Sequence, residues 1–223
     1  MIENLAGGSN SLFEFKACAG AKYACPNLIL DSQELASKLE KQLAEEDLAS
    51  LLDYQGTKPI LPHLKFKIGI AGCPNGCSRP QIRDLSILGR MRVEMIVDDC
   101  VSCGECVEVC KEEAIELKSN NTNDCQYAVI DNSKCLDCGE CVKSCPTEAI
   151  KVKDKGWSLG IGGKMGRHPQ FATEVVDLID SEVLLAKLSK LLKYYAKQRQ
   201  DKEKLALVLN RLGINRFKED LNF

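Results

Sequence analysis

The feature that most limits what this chain can fold into is a duplicated run of cysteines in its middle. Residues 100–110 read CVSCGECVEVC and residues 135–145 read CLDCGECVKSC, and both have the spacing C-x2-C-x2-C-x3-C. Every cysteine of the first run recurs 35 residues later, and the Glu-Ala-Ile of residues 113–115 recurs at residues 148–150. Self-similarity at a fixed period indicates a duplicated unit of secondary structure.

Cysteines in this density predict metal centres rather than disulfides. The chain has 13 of them, an odd number, and its N-terminus shows neither the basic nor the long apolar segment of an export signal. In a reducing compartment clustered cysteines act as metal ligands, and only 2 histidines are present to share the ligation. Soft thiolate sites select iron–sulfur clusters, zinc or copper(I).

The spacing favours iron–sulfur cubanes over zinc. Bacterial two-cluster ferredoxins have this spacing, and the fourth cysteine of each run ligates the other cluster. Structural zinc sites take two pairs of ligands from separate knuckles, so they do not require a third and fourth cysteine in both copies. Gly104 and Gly139 keep the tight loops free of a side chain. Pro146 follows the second run as in ferredoxins, whereas Lys111 follows the first.

The middle of the chain therefore resembles a bacterial two-cluster ferredoxin, and the resemblance implies two [4Fe–4S] ligand sets. One set is Cys100, Cys103, Cys106 and Cys145. The other set is Cys135, Cys138, Cys141 and Cys110. We expect this (βαβ)2-type ferredoxin-like domain to occupy residues 92–155.

Four of the five remaining cysteines form two pairs before the repeat. Cys18 pairs with Cys25, and Cys73 pairs with Cys77. The fifth, Cys125, lies in the polar stretch SNNTNDCQY and is interpreted as a solvent-side loop cysteine.

The segment that leads into the second pair, LKFKIGIA, alternates apolar residues with lysines. A period of two predicts a β-strand with Lys65 and Lys67 on one face. Because the strand runs into AGCPNGCSRPQ, we expect the lysine face to lie close to the Cys73 and Cys77 thiolates. Two cations beside a cluster would attract a small anion, and the alternative is an ordinary solvated strand face.

A glycine-rich segment, GWSLGIGGKMGRHPQ, follows the repeat at residues 156–170. It contains three basic residues, Lys164, Arg167 and His168. Backbone N–H groups and basic side chains of such a loop can cradle an anionic group. A glycine-rich hairpin with incidental charge is the alternative.

Composition limits the partners. A net charge of −2 gives no reason to expect nucleic acid or an anionic membrane as the main partner. The apolar stretches are too short to span a bilayer, so we expect a cytoplasmic protein. Leucines at helical spacing predict helices over about 31–49, from 181 to about 195, and over about 202–212.

The segments on either side of the repeat resemble sirohaem-dependent sulfite and nitrite reductases. The likeness is carried by GCPNGC, the KFKIGIAG before it, the Cys18–Cys25 pair followed by Pro26, and the later GGKMGRHP. It is greatest with the small anaerobic and dissimilatory sulfite reductases, some of which carry a ferredoxin insert. The likeness covers most of residues 15–90 and 156–215.

This resemblance implies an α+β fold in which a sirohaem and [4Fe–4S] domain is split by the ferredoxin-like insert. The reductase-like domain would consist of residues 1–91 and 156–223. A third cluster would be held by Cys18, Cys25, Cys73 and Cys77, and Cys77 would bridge to the sirohaem iron. The carboxylates of sirohaem would be contacted by Arg79, Lys164, Arg167 and His168.

The implied activity is the six-electron reduction of sulfite, or the reduction of nitrite, with electrons from a donor protein passing through the ferredoxin clusters. Lys65 and Lys67 match the lysines that bind the substrate oxyanion in the family. Family members carry a further half-domain before the first cysteine pair, and 17 residues precede Cys18. A partner subunit or a second copy is therefore expected to complete the sirohaem pocket.

Two other functions are compatible with the same residues. The chain could be an electron-transfer subunit that carries clusters without sirohaem. It could also be a binding module that uses the pocket for another tetrapyrrole or for a regulatory role. The lysine strand favours the reductase, because electron transfer alone does not require an anion site.

Overall fold

A computed structural model describes residues 12–47, 50, 52, 60–119 and 126–223. The chain divides into two compact units. The first consists of Met1–Gly89 together with Gly156–Phe223, and the second is Arg90–Lys155.

The first unit is built on a five-stranded sheet in the order β1-β2-β3-β6-β7. Neighbouring strands are parallel from β1 to β3, and β6 pairs with β7 in the antiparallel direction. The strands are β1 (Phe13–Ala17), β2 (Phe66–Ala71), β3 (Leu85–Met95), β6 (Ile150–Ile161) and β7 (Thr173–Ile179). The parallel edge matters for function because consecutive parallel strands end at the same side of a sheet.

One face of this sheet is apolar and carries the helices. Alternate residues of the strands, such as Phe15, Ile68 and Leu159, are buried in a single core. Leucines from all four helices enter the same core. The helices are α1 (Ser32–Glu45), α4 (Ser181–Gln198), α5 (Leu205–Leu212) and α6 (Ile214–Leu221). The unit is therefore a two-layer α/β structure with its opposite sheet face left for polar groups.

Helix caps explain where the main helices begin. The Asp31 carboxylate accepts from the backbone N–H groups of the first turn of α1, and Asp180 does the same for α4. Both predicted starts are confirmed. The helix expected from residue 202 begins later, and α6 was not expected because its sequence is largely polar, with Phe217 and Leu221 buried. In the described part of the chain, no helix has the length and apolarity to cross a membrane.

Glu46 joins the end of α1 to α4. Its carboxylate accepts hydrogen bonds from Lys193 Nζ at 2.7 Å, Ser189 Oγ at 2.5 Å and Gln42 Nε2 at 2.7 Å. These bonds lower the pKa of Glu46 to about 2. A depressed carboxyl pKa stabilises the fold above the unfolded pKa of 4.5, and this contribution is lost as the pH falls towards 2.

We therefore expect Glu46→Gln to be less stable than the parent at pH 7 and equal to it near pH 2. The measurement is the difference in the free energy of unfolding between the two chains as a function of pH. Because both chains share the same cysteines, any effect of acid on bound clusters cancels in that difference. A difference that stays constant between pH 5 and pH 2 would contradict the role given to this carboxylate.

The second unit repeats one arrangement twice. Helices α2 (Glu105–Val109) and α3 (Glu140–Ser144) each come from one cysteine run, and β4 (Ile115–Ser119) pairs antiparallel with β5 (Gln126–Ile130). The order strand-helix-strand therefore occurs twice, as β3-α2-β4 and β5-α3-β6. A small core that includes Ile115 and cysteines of both runs lies inside this unit. Its assignment as a ferredoxin domain stays a prediction from the cysteine runs.

Candidate cluster and anion site

The first two cysteine pairs meet at the carboxyl edge of the parallel strands. Ala17 of β1 lies opposite Ile70 of β2, so the residues that follow each strand are neighbours. The Cys18 backbone N–H donates to Ile70 O at 2.9 Å, and the Gly72 N–H donates to Cys18 Sγ at 3.2 Å. The parallel register therefore brings Cys18 beside Cys73, which directly follows Gly72.

Each pair is closed by a tight turn. The Cys25 N–H donates to Gly20 O at 2.9 Å, and a Cβ built on Gly20 would lie 3.8 Å from Cys18 Sγ. In the second turn, Gly76 has a φ of +58° and donates to Cys73 O at 3.3 Å. Glycine adopts this left-handed conformation without strain, so the turn holds its two cysteines on the same side.

The four sulfurs of these pairs form one group. Burial raises the pKa of the Cys73 thiol, and the charges of Cys18, Cys77 and Cys25 raise it further. Thiolates that repel one another at this range require a positively charged partner, as metal centres provide. Cys73 is buried, whereas Cys77 is exposed and leaves its sulfur open to a further group.

Two polar residues support Cys18 that the sequence did not single out. Ser32, fully buried, donates its hydroxyl to Cys18 O at 2.7 Å and lies 3.0 Å from Cys18 Sγ. Gln33 Nε2 donates to the same carbonyl at 2.9 Å. Both lie in the first turn of α1, where polar residues are ordinary, so no sequence signal distinguished them. They fix the backbone of one cluster-forming loop.

The second unit brings together the first ferredoxin-type set. A depression of about 310 Å³, including its open mouth, is lined by Cys100, Cys103, Cys106 and Cys145. Burial raises the pKa of the Cys106 thiol, and the other three cysteines raise it further. Three of these residues come from one run and the fourth from the other, as the ferredoxin resemblance implied.

The second set shows the same exchange. Burial raises the pKa of Cys141 to about 12, and Cys138 and Cys135 add to the shift. Cys135 in turn is influenced by Cys110 of the first run. The two exchanged cysteines have equivalent surroundings, because Cys110 Sγ accepts from Ala114 N at 3.3 Å and Cys145 Sγ from Ala149 N at 3.2 Å. Hydrogen bonds to sulfur are one of the features that tune a cluster's potential.

All twelve cysteines in the described ranges are free thiols. Within those ranges, no three His, Cys, Asp or Glu side chains approach closely enough to hold a single metal ion. Cys125 lies outside the described residues.

The glycines of the two cysteine loops provide a matched test of packing. Gly104 and Gly139 have φ of +81° and +74°, so alanine is strained at both by roughly 1–2 kcal/mol. A Cβ at Gly139 would also collide with Met91 Sδ, whereas none of the described atoms lies within 4 Å of one at Gly104. We expect Gly139→Ala to lose about 1–3 kcal/mol more stability than Gly104→Ala.

The measurement is anaerobic denaturation followed by loss of cluster absorbance. Adding Met91→Ala to Gly139→Ala should recover the excess loss, because it removes the colliding sulfur. Equal losses in the two single variants would show that Met91 does not cover the second loop.

Lys65 and Lys67 lie at the opposite end of β2 from the cysteines. Six residues of strand separate Lys67 from Cys73, which is about 20 Å of extended chain. The Lys67 ammonium lies 3.9 Å from Glu14, whose other oxygen pairs with Arg83 at 2.6 Å. The expected proximity is therefore not direct contact, and a ligand that touched both groups would have to extend along the strand.

A buried acid anchors the backbone beside these lysines. Asp84 accepts from Lys67 N at 2.9 Å and pairs with Lys204 Nζ at 3.7 Å, and Lys204 also donates to Lys65 O at 2.6 Å. Burial raises the pKa of Asp84, and the charges of Lys204 and Lys67 act against that rise. The buried Nε of Arg83 has no hydrogen-bond partner among the described residues.

The glycine-rich segment is a hairpin between β6 and β7. Lys164 and Gln170 exchange backbone hydrogen bonds at 2.9 and 3.0 Å, and Arg167 and His168 are exposed at its tip. A Cβ at Gly163 would lie 2.5 Å from the carbonyl oxygens of the chain at residues 81 and 83. The hairpin therefore begins against the segment that follows GCPNGC. Arg79 of that segment is exposed, with a φ of +54°.

Comparison with known proteins gives a consistent result. Residues 8–222 match the family described as nitrite and sulphite reductase 4Fe-4S domain. The chain is 38% identical over 212 residues to a coenzyme F420-dependent sulfite reductase of Methanocaldococcus jannaschii, which covers 92% of this chain and 30% of that protein. It is 33% identical over 109 residues to one of the subunits of anaerobic sulfite reductase from Salmonella typhimurium, covering 49% and 26% respectively.

A similar fold occurs in the crystal structure of dissimilatory sulfite reductase I. The TM-score is 0.62 at 20% identity, over 97% of this chain and 53% of that one. The chain thus spans about half of this solved structure and about a third or less of the two curated relatives.

Proposed function

Since the chain belongs to the nitrite and sulphite reductase 4Fe-4S family, we propose that it reduces sulfite with sirohaem bound at Cys77. Electrons are delivered through two ferredoxin-type clusters and a third cluster at the carboxyl edge of the sheet. The observation that carries this proposal is the convergence of Cys18, Cys25, Cys73 and Cys77, with only Cys77 exposed among the four.

The residues near Cys77 suit the chemistry of sirohaem, an iron tetrapyrrole with several carboxylates. An exposed thiol supplies an axial ligand, and exposed Arg79, Arg167 and His168 supply cations. The unpartnered Nε of Arg83 supplies a buried donor. When bound, sirohaem would provide the iron at which the oxyanion is held and reduced.

Lys67 is proposed to hold and neutralise the oxyanion together with Lys65. In the structure the Lys67 charge is balanced by Glu14, and its backbone is anchored by Asp84. A doubly charged anion would compete with Glu14 for the ammonium. Cations held in place before the reaction stabilise negative charge as oxygen leaves, and a lysine can donate a proton to it.

We expect Lys67→Met to lower sulfite-dependent turnover by about 10²–10³-fold with unchanged iron content. The matched variant is Glu14→Gln, which leaves both lysines and removes the competing carboxylate, so its KM for sulfite should fall. Turnover in Lys67→Met within a few-fold of the parent would remove this lysine from the site.

Sulfite is preferred over nitrite because two relatives are named for sulfite, and the same lysines suit either oxyanion. An electron-donor protein is a required partner in this proposal. Because the chain spans 30% of the first relative, we also propose that a second copy or a partner subunit fills the open side of the sirohaem pocket.

The proposal is tested by anaerobic purification followed by assays of iron, acid-labile sulfide and visible spectrum. Three cubanes hold about twelve irons and two hold about eight. About twelve irons, sharp tetrapyrrole bands after sirohaem is offered, and sulfite-dependent oxidation of a reduced viologen dye would support the proposal. About eight irons would refute the third cluster and with it the reductase.

One observation favours a second candidate, an electron-transfer subunit without sirohaem. Glu14 pairs with both Lys67 and Arg83, so the cations on this sheet face are already partly neutralised. About twelve irons with no tetrapyrrole bands, even after sirohaem is offered, would support this candidate.

A further inference from the structure

The two cysteine loops of the second unit are equivalent in sequence and different in exposure. Cys103 is exposed, whereas its equivalent Cys138 is half-buried. The residue after the first cysteine is Val101 in one loop, 62% exposed, and Leu136 in the other, 42% exposed. The duplication therefore produces two loops that solvent reaches unequally.

Met91 accounts for part of this difference. Its sulfur occupies the space above Gly139, and its N–H donates to Asp137 O at 2.7 Å. Above Gly104 no atom of the described residues lies within 4 Å of a built Cβ. The loop at 135–139 is covered by a strand of its own unit, and the loop at 100–104 is open.

The open loop forms the wall of a cluster site. Val101 and Gly104 line the same depression as Cys100 and Cys103. A cluster held by this set would lie directly behind an exposed apolar side chain. Val97, 44% exposed, extends the apolar surface before the loop. Exposed apolar residues framed by polar ones are typical of protein contact surfaces.

The charge around the open loop indicates the sign of a partner. Residues 97–113 carry six carboxylates and one lysine, whereas the equivalent residues 132–148 carry three carboxylates and two lysines. Asp98, Glu105 and Glu108 are among the charged residues beside the open loop. A partner with basic groups around an apolar centre would be attracted to this surface and oriented by it.

We propose that the loop at 100–104, with Val97 and the surrounding carboxylates, is the docking surface for a redox protein with a basic face. Electrons reach the cluster of Cys100, Cys103, Cys106 and Cys145 through it. This inference rests on the proposed ferredoxin-type electron delivery and adds the loop that receives the donor and the charge of its partner.

The test compares identical changes at equivalent positions, Val101→Lys and Leu136→Lys. Each adds one positive charge at an exposed apolar site beside a cluster, so net charge changes equally. The probe is mitochondrial cytochrome c, a basic redox protein. In stopped flow, one electron leaves a reduced cluster and converts ferric haem to ferrous haem. Iron content and the rate of cluster reduction by dithionite serve as controls for each variant.

We expect Val101→Lys to lower the second-order rate constant about tenfold at low salt and Leu136→Lys to lower it less than about twofold. The difference should shrink as ionic strength rises past about 0.15 M, because exposed charges are then screened. Equal slowing by both variants, or a larger effect at Leu136, would overturn the inference.

A second readout does not depend on electron flow. Carbodiimide joins carboxylates to lysines that touch them, so the parent chain cross-linked to cytochrome c should yield bonds at Glu105 or Glu108 by mass spectrometry. Cross-links confined to Glu140 or to the first unit would overturn the docking surface. With about twelve irons present, such a result leaves the proposed reductase standing. Without the ferredoxin-type iron, both the inference and the proposed function fail.

Discussion

Cys18→Ser should lose about four of about twelve irons and keep the two ferredoxin-type clusters. The reason is the position of Cys18 at the end of β1, where its sulfur is held by the Gly72 N–H next to Cys73. Serine fits the same space but provides a much weaker ligand for iron. Sulfite-dependent turnover should fall below detection, while cluster reduction by dithionite continues at about two thirds of the parent's amplitude.

The matched control is Cys125→Ser, since Cys125 belongs to neither cysteine run nor to either pair. Its iron, sulfide and turnover should equal those of the parent. Iron analysis and the anaerobic spectrum of the three proteins side by side provide the measurement. A Cys18→Ser chain with full iron would show that Cys18 is not a ligand, and iron loss in Cys125→Ser would assign that residue a role.

Gly72→Ala is expected to be the most damaging change of a single glycine near the third cluster. A Cβ there would collide with Leu30 O and lie 2.5 Å from Leu28 Cδ1. Gly72 O also accepts from Ile29 N at 3.0 Å and Leu30 N at 3.1 Å. Because the collision is with backbone, these bonds break as the loop shifts. We expect a loss of about 3–5 kcal/mol in the free energy of unfolding.

Gly20→Ala is the control in the same site. Its Cβ would meet Leu28 Cδ1 at 2.9 Å, and the end of a leucine side chain can rotate away. The expected loss is below about 1.5 kcal/mol, with iron content retained. Denaturant titration and iron analysis of both variants decide the matter. Equal stability of the two variants would show that the Leu28–Leu30 segment is not fixed against Gly72.

The cysteines could be predicted from sequence because their chemistry is encoded locally. Three ligands of each ferredoxin-type set lie within seven residues, and the motif GCPNGC carries two more of the third set. The strand at Phe66–Ala71 was likewise visible as a period of two. The exchange of Cys110 and Cys145 between runs came from the ferredoxin resemblance, and the structure brings the same residues together.

The surroundings of the lysines could not be predicted in the same way. Glu14 lies opposite Lys67 only because β1 pairs in parallel with β2, and the five residues of β1 gave too short a pattern to predict that pairing. Lys204 reaches Asp84 from more than a hundred residues away. Contacts of this kind depend on tertiary packing, which leaves no periodic signal in the sequence.

The parallel register of β1 and β2 also has a consequence for how the protein is loaded with iron. In each ferredoxin-type run three ligands are close together in an unfolded chain, so an iron–sulfur carrier can engage them before folding is complete. Cys18 and Cys73 are 55 residues apart and become neighbours only after the sheet has formed. The third cluster is therefore the last to be inserted. Under iron shortage, cells would accumulate folded chains that carry their ferredoxin-type clusters and lack the one beside the catalytic pocket.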